Sequence, residues 1–120
     1  MKKKLVVSSI CSSEVDVKNW QPISNDDVYI CLDIKVDFPD ENQSGHLFYV
    51  TLATIESIKK NRSEPYLVIN RTIVISEYSY ELVSKLILDI IETCSKSSWE
   101  ESCIALQRYF QWEYEDYSLE

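Results

Sequence analysis

Glycine and histidine are scarce in this 120-residue chain, which has one of each. Average usage would give about eight glycines. Phosphate-binding loops need several glycines close together so that the backbone can approach phosphate oxygens, and Gly45 alone cannot supply them. The sequence therefore excludes both the Walker loop and the dinucleotide-binding fingerprint.

Closely spaced metal ligands are missing as well. A structural zinc site usually takes four Cys or His ligands in closely spaced pairs, and the four cysteines with His46 form no such pair. The acids Asp26 and Asp27 do not follow the spacing of a calcium-binding loop. No nucleophile has an obvious partner base. We therefore expect no metal, no cofactor and no catalysis.

The four cysteines are expected to be reduced and buried. Cys31 lies in an apolar run, and Cys94 and Cys103 fall on predicted helical stripes; with Cys11 they are interpreted as small core residues. His46 stands beside a predicted hairpin turn. We expect it to be a solvated loop residue.

Long hydrophobic runs are absent, since no stretch of 18 or more apolar residues occurs. The start, Lys2–Lys4 followed by Leu5–Val7, lacks the apolar core and small-residue cleavage site of a signal peptide. These features predict a cytoplasmic protein.

Negative charge is what the sequence has in excess, because 12 basic and 20 acidic residues give a net charge of −8. The acid is concentrated in residues 13–41, with a net charge of −6, and in residues 77–120, with a net charge of −7. Such a field repels phosphate backbones and anionic membranes and attracts basic surfaces. We expect a basic protein partner and no direct contact with nucleic acid or membrane.

Strand patterns fill the first half of the chain. Leu5–Cys11 is predicted to be an opening strand, followed by an acidic connector over residues 14–27. Apolar residues at every even position from Ile30 to Phe38 predict a strand with one buried face. A turn-rich segment then leads into Leu47–Leu52, which completes a predicted hairpin.

A short helix and a further strand are predicted next. Thr54 can cap a helix over Thr54–Asn61, and Pro65 blocks its continuation. The β-branched residues of Tyr66–Ser76 predict a central strand. Arg71 interrupts this apolar run and is interpreted as a bulge, a strand junction or an ion pair.

The last third of the chain has helical periodicity. Pairs of apolar residues recur every four positions and predict a helix with a broad apolar stripe, made by Leu82, Val83, Leu86, Ile87, Ile90, Ile91 and Cys94. Ser98 and Glu101 have capping-box spacing and start the next helix. The predicted inner face of this last helix consists of Trp99, Cys103, Leu106 and Phe110.

Strands early and helices late favour an α+β fold. We expect one domain over residues 1–120, with a mostly antiparallel sheet of four or five strands and two C-terminal helices packed on one face. The predicted core places the strand residues Ile30, Leu32, Ile34 and Val36 against Leu82, Leu86, Ile90, Trp99 and Phe110.

Aromatic and acidic side chains alternate in the terminal segment 109–117. Aromatic residues are enriched at interface hot spots, and clustered carboxylates complement a basic partner. The predicted partner-binding residues are Trp112, Glu113, Tyr114, Glu115, Asp116 and Tyr117, together with Asp26 and Asp27 of the connector. The alternative is a solvated helix end whose aromatic residues complete the core.

The segments Ser98-Trp99-Glu100-Glu101 and 109–117 resemble the opening and closing motifs of the last helix in the immunity protein 8 family of bacterial polymorphic toxin systems. The resemblance implies a cytosolic, non-catalytic protein that neutralises a polymorphic or contact-dependent toxin domain by binding it. Many such toxins are basic and act on nucleic acids, which suits an acidic inhibitor. The resemblance carries over no established binding residue.

Two other functions stay open at this point. One is a non-catalytic adaptor or structural module whose acidic face keeps it dissolved. The other is a small hydrolase in which Glu113 and either Glu115 or Asp116 act as acid and base, although nothing around them marks a substrate pocket.

Overall fold

The structure, a computed structural model, describes residues 3–39, 45–61, 65 and 69–114. Its elements in chain order are β1 (Val6–Cys11), β2 (Tyr29–Asp37), β3 (His46–Thr54), α1 (Ile55–Asn61), β4 (Thr72–Ile75), α2 (Tyr80–Cys94), α3 (Trp99–Leu106) and β5 (Gln111–Trp112). Four of the five described strands precede the two longest helices, and the strands and helices are segregated along the chain as the α+β prediction requires, so the α+β prediction is confirmed.

One five-stranded mixed sheet joins all the strands. β1, β2 and β3 are successive antiparallel neighbours, so the predicted hairpin is confirmed. The other edge of β3 is shared, because β4 pairs parallel with residues 51–54 and β5 pairs antiparallel with residues 48–49. β3 is therefore the strand on which the sheet is assembled.

The prediction that the fourth strand is central in the sheet is wrong. β4 spans Thr72–Ile75, lies outermost and pairs with β3 alone in the described sheet. Residues 66–68 of that prediction lie outside the described residues. Arg71 has a φ of 47°, so the backbone takes a left-handed turn directly before β4. This geometry fits the interpretation of Arg71 as a strand junction.

The core lies between one sheet face and the helices. Alternate residues of β2 point inward, and Leu32, Ile34 and Val36 are fully buried, as the period-two pattern predicts. Truncating one such side chain removes apolar contacts and leaves a cavity, at a cost of about 2–5 kcal/mol.

The buried face of α2 lies within the predicted apolar stripe, but one residue after Leu82, Leu86 and Ile90, which the predicted core names. Its buried residues are Val83, Ile87, Ile91 and Cys94. Leu86 and Ile90 pack against the margin of the core, whereas Leu82 is 42% exposed. The predicted stripe is wider than the face of α2 that contacts the core, so the prediction that Leu82 lies in the core is wrong.

Hydroxyl side chains cap the N-termini of the helices. Ser79 accepts a hydrogen bond from the Leu82 N–H at 3.0 Å, and Ser98 accepts one from the Glu101 N–H at 3.2 Å, which confirms the predicted start of α3. The hydroxyls of Ser97 and Ser98 also donate to the Glu101 carboxylate and hold its pKa below the usual range. Thr54 caps α1 by accepting from the Ser57 N–H.

The last helix ends earlier than predicted. α3 stops at Leu106, Phe110 is buried in the turn that follows, and Gln111–Trp112 form β5. Pairing with β3 satisfies the backbone and places the ring of Phe110 with its centroid 6.3 Å from that of Phe48. The interpretation of residues 109–114 as a helix end is therefore wrong.

The acidic connector before β2 is anchored to the core. Val17 is buried, and its carbonyl accepts a hydrogen bond from the Tyr78 hydroxyl at 2.8 Å. The rings of Trp20 and Tyr78 make an edge contact, with centroids 5.0 Å apart. Burial raises the pKa of the Tyr78 hydroxyl.

Two of the four cysteine predictions are wrong. Cys94 and Cys103 are buried, but Cys11 and Cys31 are exposed. Cys31 occupies an odd position of β2, and odd positions point away from the helices. The prediction for His46 is also wrong, because its half-buried ring stacks on Trp99 at a centroid distance of 4.1 Å.

Candidate protein-binding surface

The sheet face opposite α2 and α3 is formed by outward side chains of the five described strands, and we call it the open face. One row across the strands contains Cys11, Asp33, Tyr49 and Gln111, which are successive partners in the register. A second row contains Cys31, Thr51 and Thr72. Cys31 and Gln111 are exposed, so this part of the face is accessible.

A notch interrupts the open face where the two short strands approach each other along β3. It is a hollow of about 100 Å³, lined by Cys31, Tyr49, Val50, Thr51, Asn70, Arg71 and Gln111. Asn70 and Arg71 precede β4, and Gln111 begins β5. The notch therefore results from the division of one sheet edge between two strands that do not meet.

Backbone hydrogen bonds position two carboxylates at the sides of this face. Glu14 accepts from the Cys31 N–H at 2.9 Å, at a level of β2 that lies beyond the last residue of β1. Glu113 accepts from the Leu47 N–H at 2.6 Å. Charge-assisted bonds of this kind fix the acceptor in place.

Glu14, Glu113 and Asp33 act electrostatically on two residues of the notch lining, Cys31 and Tyr49, while Arg71 contributes a positive charge to the same lining. Burial raises the pKa of the Cys31 thiol, and the negative charges of Asp33 and Glu14 raise it further. Burial also raises the pKa of the Tyr49 hydroxyl, with added contributions from Glu113 and Asp33. The outward thiol and phenol therefore stay neutral at pH 7 within a negative field.

The structure describes only part of the terminal acidic block, which consists of Glu113, Glu115 and Asp116. Glu113 lies at the side of the open face, where its N–H also donates to the Leu47 carbonyl at 3.0 Å. Trp112 is half-buried and packs against the core, with Tyr114 in an edge contact at a centroid distance of 5.3 Å. Tyr114 is 48% exposed. The predicted binding residues Glu115, Asp116 and Tyr117 lie outside the described residues.

The second predicted block, Asp26 and Asp27, is exposed in the connector before β2. Asp26 accepts a hydrogen bond from the Ser24 hydroxyl, and Asp27 pairs with Lys60 at 2.9 Å. Because Lys60 is mostly exposed, this ion pair is screened by solvent. Asp27 is thus already partnered within the chain.

Sequence reasoning missed Glu14, Asp33 and Tyr49 as candidate residues. Asp33 and Lys35 were interpreted only as the solvated side of an alternating strand, and Tyr49 only as part of the returning strand. The odd positions of β2 carried the signal. Their meaning depends on the register with β3, which no local pattern supplies.

Within the described ranges, no group of three or more His, Cys, Asp or Glu side chains is arranged to hold a metal ion. None of the described helices has the length and apolar character needed to cross a membrane.

Taken together, these observations define a small α+β domain with an accessible sheet face at whose sides two carboxylates are held by backbone hydrogen bonds. The family model described as Immunity protein 8 matches residues 5–117, and the chain belongs to the immunity protein 8 family. The family name supports an immunity protein, with a cognate toxin as its partner and a non-enzymatic role. No curated protein and no solved structure matches the chain significantly.

Proposed function

We propose that this protein neutralises a basic toxin domain, such as a nuclease of a polymorphic or contact-dependent system, by binding it directly in the cytoplasm of the producing cell. The observation that carries the proposal is the family match over residues 5–117. The net charge of −8 supports a basic partner, since an acidic protein can occupy the electropositive cleft in which a nuclease binds phosphates.

The proposed contacts include the two acidic blocks, Asp26 with Asp27 and Glu113 with Glu115 and Asp116, and the aromatic residues Trp112, Tyr114 and Tyr117. Long-range attraction between oppositely charged surfaces speeds association and weakens as salt screens it. Tyr114, which is exposed beside the acids, offers an aromatic anchor.

The experiment takes the domain encoded by the gene immediately upstream as the test toxin, co-expresses it with this protein, and follows with purification and kinetic binding measurements. We expect a stoichiometric complex, loss of toxicity, and an association rate that falls as salt rises. A toxin domain that remains free and toxic in the presence of the folded protein would refute the proposed function.

The contribution of each block can be separated by charge reversal. Glu115→Lys with Asp116→Lys tests the terminal block, and Asp26→Lys with Asp27→Lys is the matched double variant of the connector. Glu113 is left unchanged because its carboxylate holds the backbone of β3. We expect the terminal reversal to slow association more than the connector reversal. Equal rates for both variants and the wild type would place the interface elsewhere.

A non-catalytic adaptor is the alternative function. It predicts a stable partner other than a toxin and no protection of cells that express the upstream domain.

A further inference from the structure

The open face is a separate candidate for toxin contact, because neither acidic block predicted from the sequence includes its centre. Asp33 and Tyr49 are direct cross-strand partners there, between Cys11 on one side and Gln111 on the other. The helices α2 and α3 pack on the opposite side of the sheet, so this surface is accessible to another protein.

Charge complementarity indicates the chemistry of the occupant. The carboxylates of Glu14, Asp33 and Glu113 act on the Cys31 thiol and the Tyr49 phenol, whereas one guanidinium, that of Arg71, lies in the lining. Lys35, on the same face, lies against Gly45 near the start of β3. The three carboxylates outnumber the two cations, so these five side chains of the open face together carry a net negative charge, which favours a basic partner.

The shape and lining of the notch suit a side chain rather than a folded segment. A hollow of about 100 Å³ accommodates the end of a Lys or Arg side chain. Tyr49, Thr51 and Gln111 are among the lining residues; an aromatic ring can attract a cation, and hydroxyl and amide oxygens can accept its hydrogen bonds.

We propose that the open face is the toxin-docking surface and that a Lys or Arg side chain of the toxin occupies the notch beside Tyr49 and Asp33. This assignment rests on the proposed function, because it requires a basic toxin. Glu14 accepts a hydrogen bond from the N–H of Cys31, which lines the notch, and Glu113 accepts one from the Leu47 N–H at the side of the open face. These bonds hold both carboxylates in position before binding.

The first test compares Asp33→Lys on the open face with Asp89→Lys on the exposed surface of α2. Each variant replaces one negative charge by a positive one, so both change the net charge from −8 to −6. With the upstream toxin domain as the probe, we expect Asp33→Lys to weaken binding by about tenfold or more, and Asp89→Lys by less than about threefold. Circular dichroism and melting temperature verify that both variants are folded.

The second test changes only Cys11, at the β1 side of the open face, and leaves the residues that line the notch unchanged. In a Cys11→Ser background, the rate of iodoacetamide alkylation at Cys31 is measured by mass spectrometry with and without the toxin domain. We expect bound toxin to slow alkylation of Cys31 at least about tenfold, because the thiol lines the notch.

The outcomes separate the two proposals. A wild-type protein that does not bind the toxin domain overturns the proposed function and this assignment with it. A wild-type protein that binds, with Asp33→Lys no weaker than Asp89→Lys and Cys31 alkylated at the same rate in the complex, overturns the assignment alone.

Discussion

Glu113 and Leu47 are joined by a reciprocal pair of hydrogen bonds. The Glu113 N–H donates to the Leu47 carbonyl at 3.0 Å, and the Glu113 carboxylate accepts from the Leu47 N–H at 2.6 Å. The side chain therefore takes the place that a further residue of β5 would occupy beside β3. An acid predicted to bind a partner thus also closes the sheet.

This pairing predicts that Glu113 stabilises the fold. Glu113→Ala leaves the Leu47 N–H without its acceptor and should lower the free energy of unfolding by about 1–2 kcal/mol. Glu113→Gln keeps an acceptor oxygen and should retain most of that stability. Urea unfolding measures both, with Gln111→Ala on the same strand as a control expected within about 0.5 kcal/mol of wild type. An alanine variant as stable as wild type would show that the carboxylate is dispensable for folding.

Burial of the β2 face predicts a large difference between two identical substitutions. Leu32→Ala removes a side chain with 0% exposure and should cost about 2–5 kcal/mol. Leu88→Ala, at a position that is 50% exposed, should change stability by less than about 0.5 kcal/mol. Urea denaturation of the two variants checks this. Similar losses would contradict the assignment of β2 to the core.

The cap of α2 gives a third prediction. Ser79→Ala removes the acceptor of the Leu82 N–H and should destabilise the protein by about 1 kcal/mol, whereas Ser79→Asn should preserve the cap. Ser84→Ala, within the same helix, is the matched control and should have little effect or a slight gain. The measurement compares the urea unfolding midpoints of the three variants with that of the wild type. A loss shared by the Asn variant would mean that the hydroxyl is not acting as a cap.

Alkaline pH should destabilise the protein through Cys103. Burial raises the pKa of this thiol from its ordinary 9.0 to about 11, so the folded state keeps the proton that the unfolded state loses. Stability from this group is complete below pH 9 and falls as the pH rises towards 11. Burial also raises the pKa of the Cys94 thiol, so this group contributes to the pH dependence with the same sign.

The measurement is the free energy of unfolding from pH 8 to 11 for the wild type and Cys103→Ala. The slope, rather than the absolute stability, is compared, because the alanine variant also loses buried volume. We expect a shallower decline for Cys103→Ala. Parallel curves would exclude Cys103 as a source of the pH dependence.

The sequence-based predictions were confirmed where a feature depends on residues that are close together in the chain, and they were wrong where it depends on a distant strand. Alternation in residues 30–38 and the Ser98–Glu101 spacing depend on neighbours in the chain, and both predictions were confirmed. The strand at Gln111–Trp112 is two residues long and depends on β3, so the alternation there was interpreted as a helix end. The exposure of Cys31 likewise follows from the sheet face that it occupies.

The candidate surface was predictable only in its charge. The acids at 113–116 and 26–27 were visible as blocks, but Asp33 and Glu14 acquire their relationship to Tyr49 and Cys31 through strand register and a connector contact. The notch depends on two short strands sharing one edge of β3, which is a property of topology. No local pattern contains that information.

The junction between β5 and β3 also limits when one edge of the sheet can be completed during synthesis. Leu47 and Glu113 are 66 positions apart, so Leu47 is synthesised well before its partner. While residue 113 is still being synthesised, one end of β3 has an unpaired edge, the kind of edge that invites association with other chains. The side of the open face at Leu47 is therefore complete only after the translation of residue 113, and a nascent chain that ends before it lacks this part of the surface.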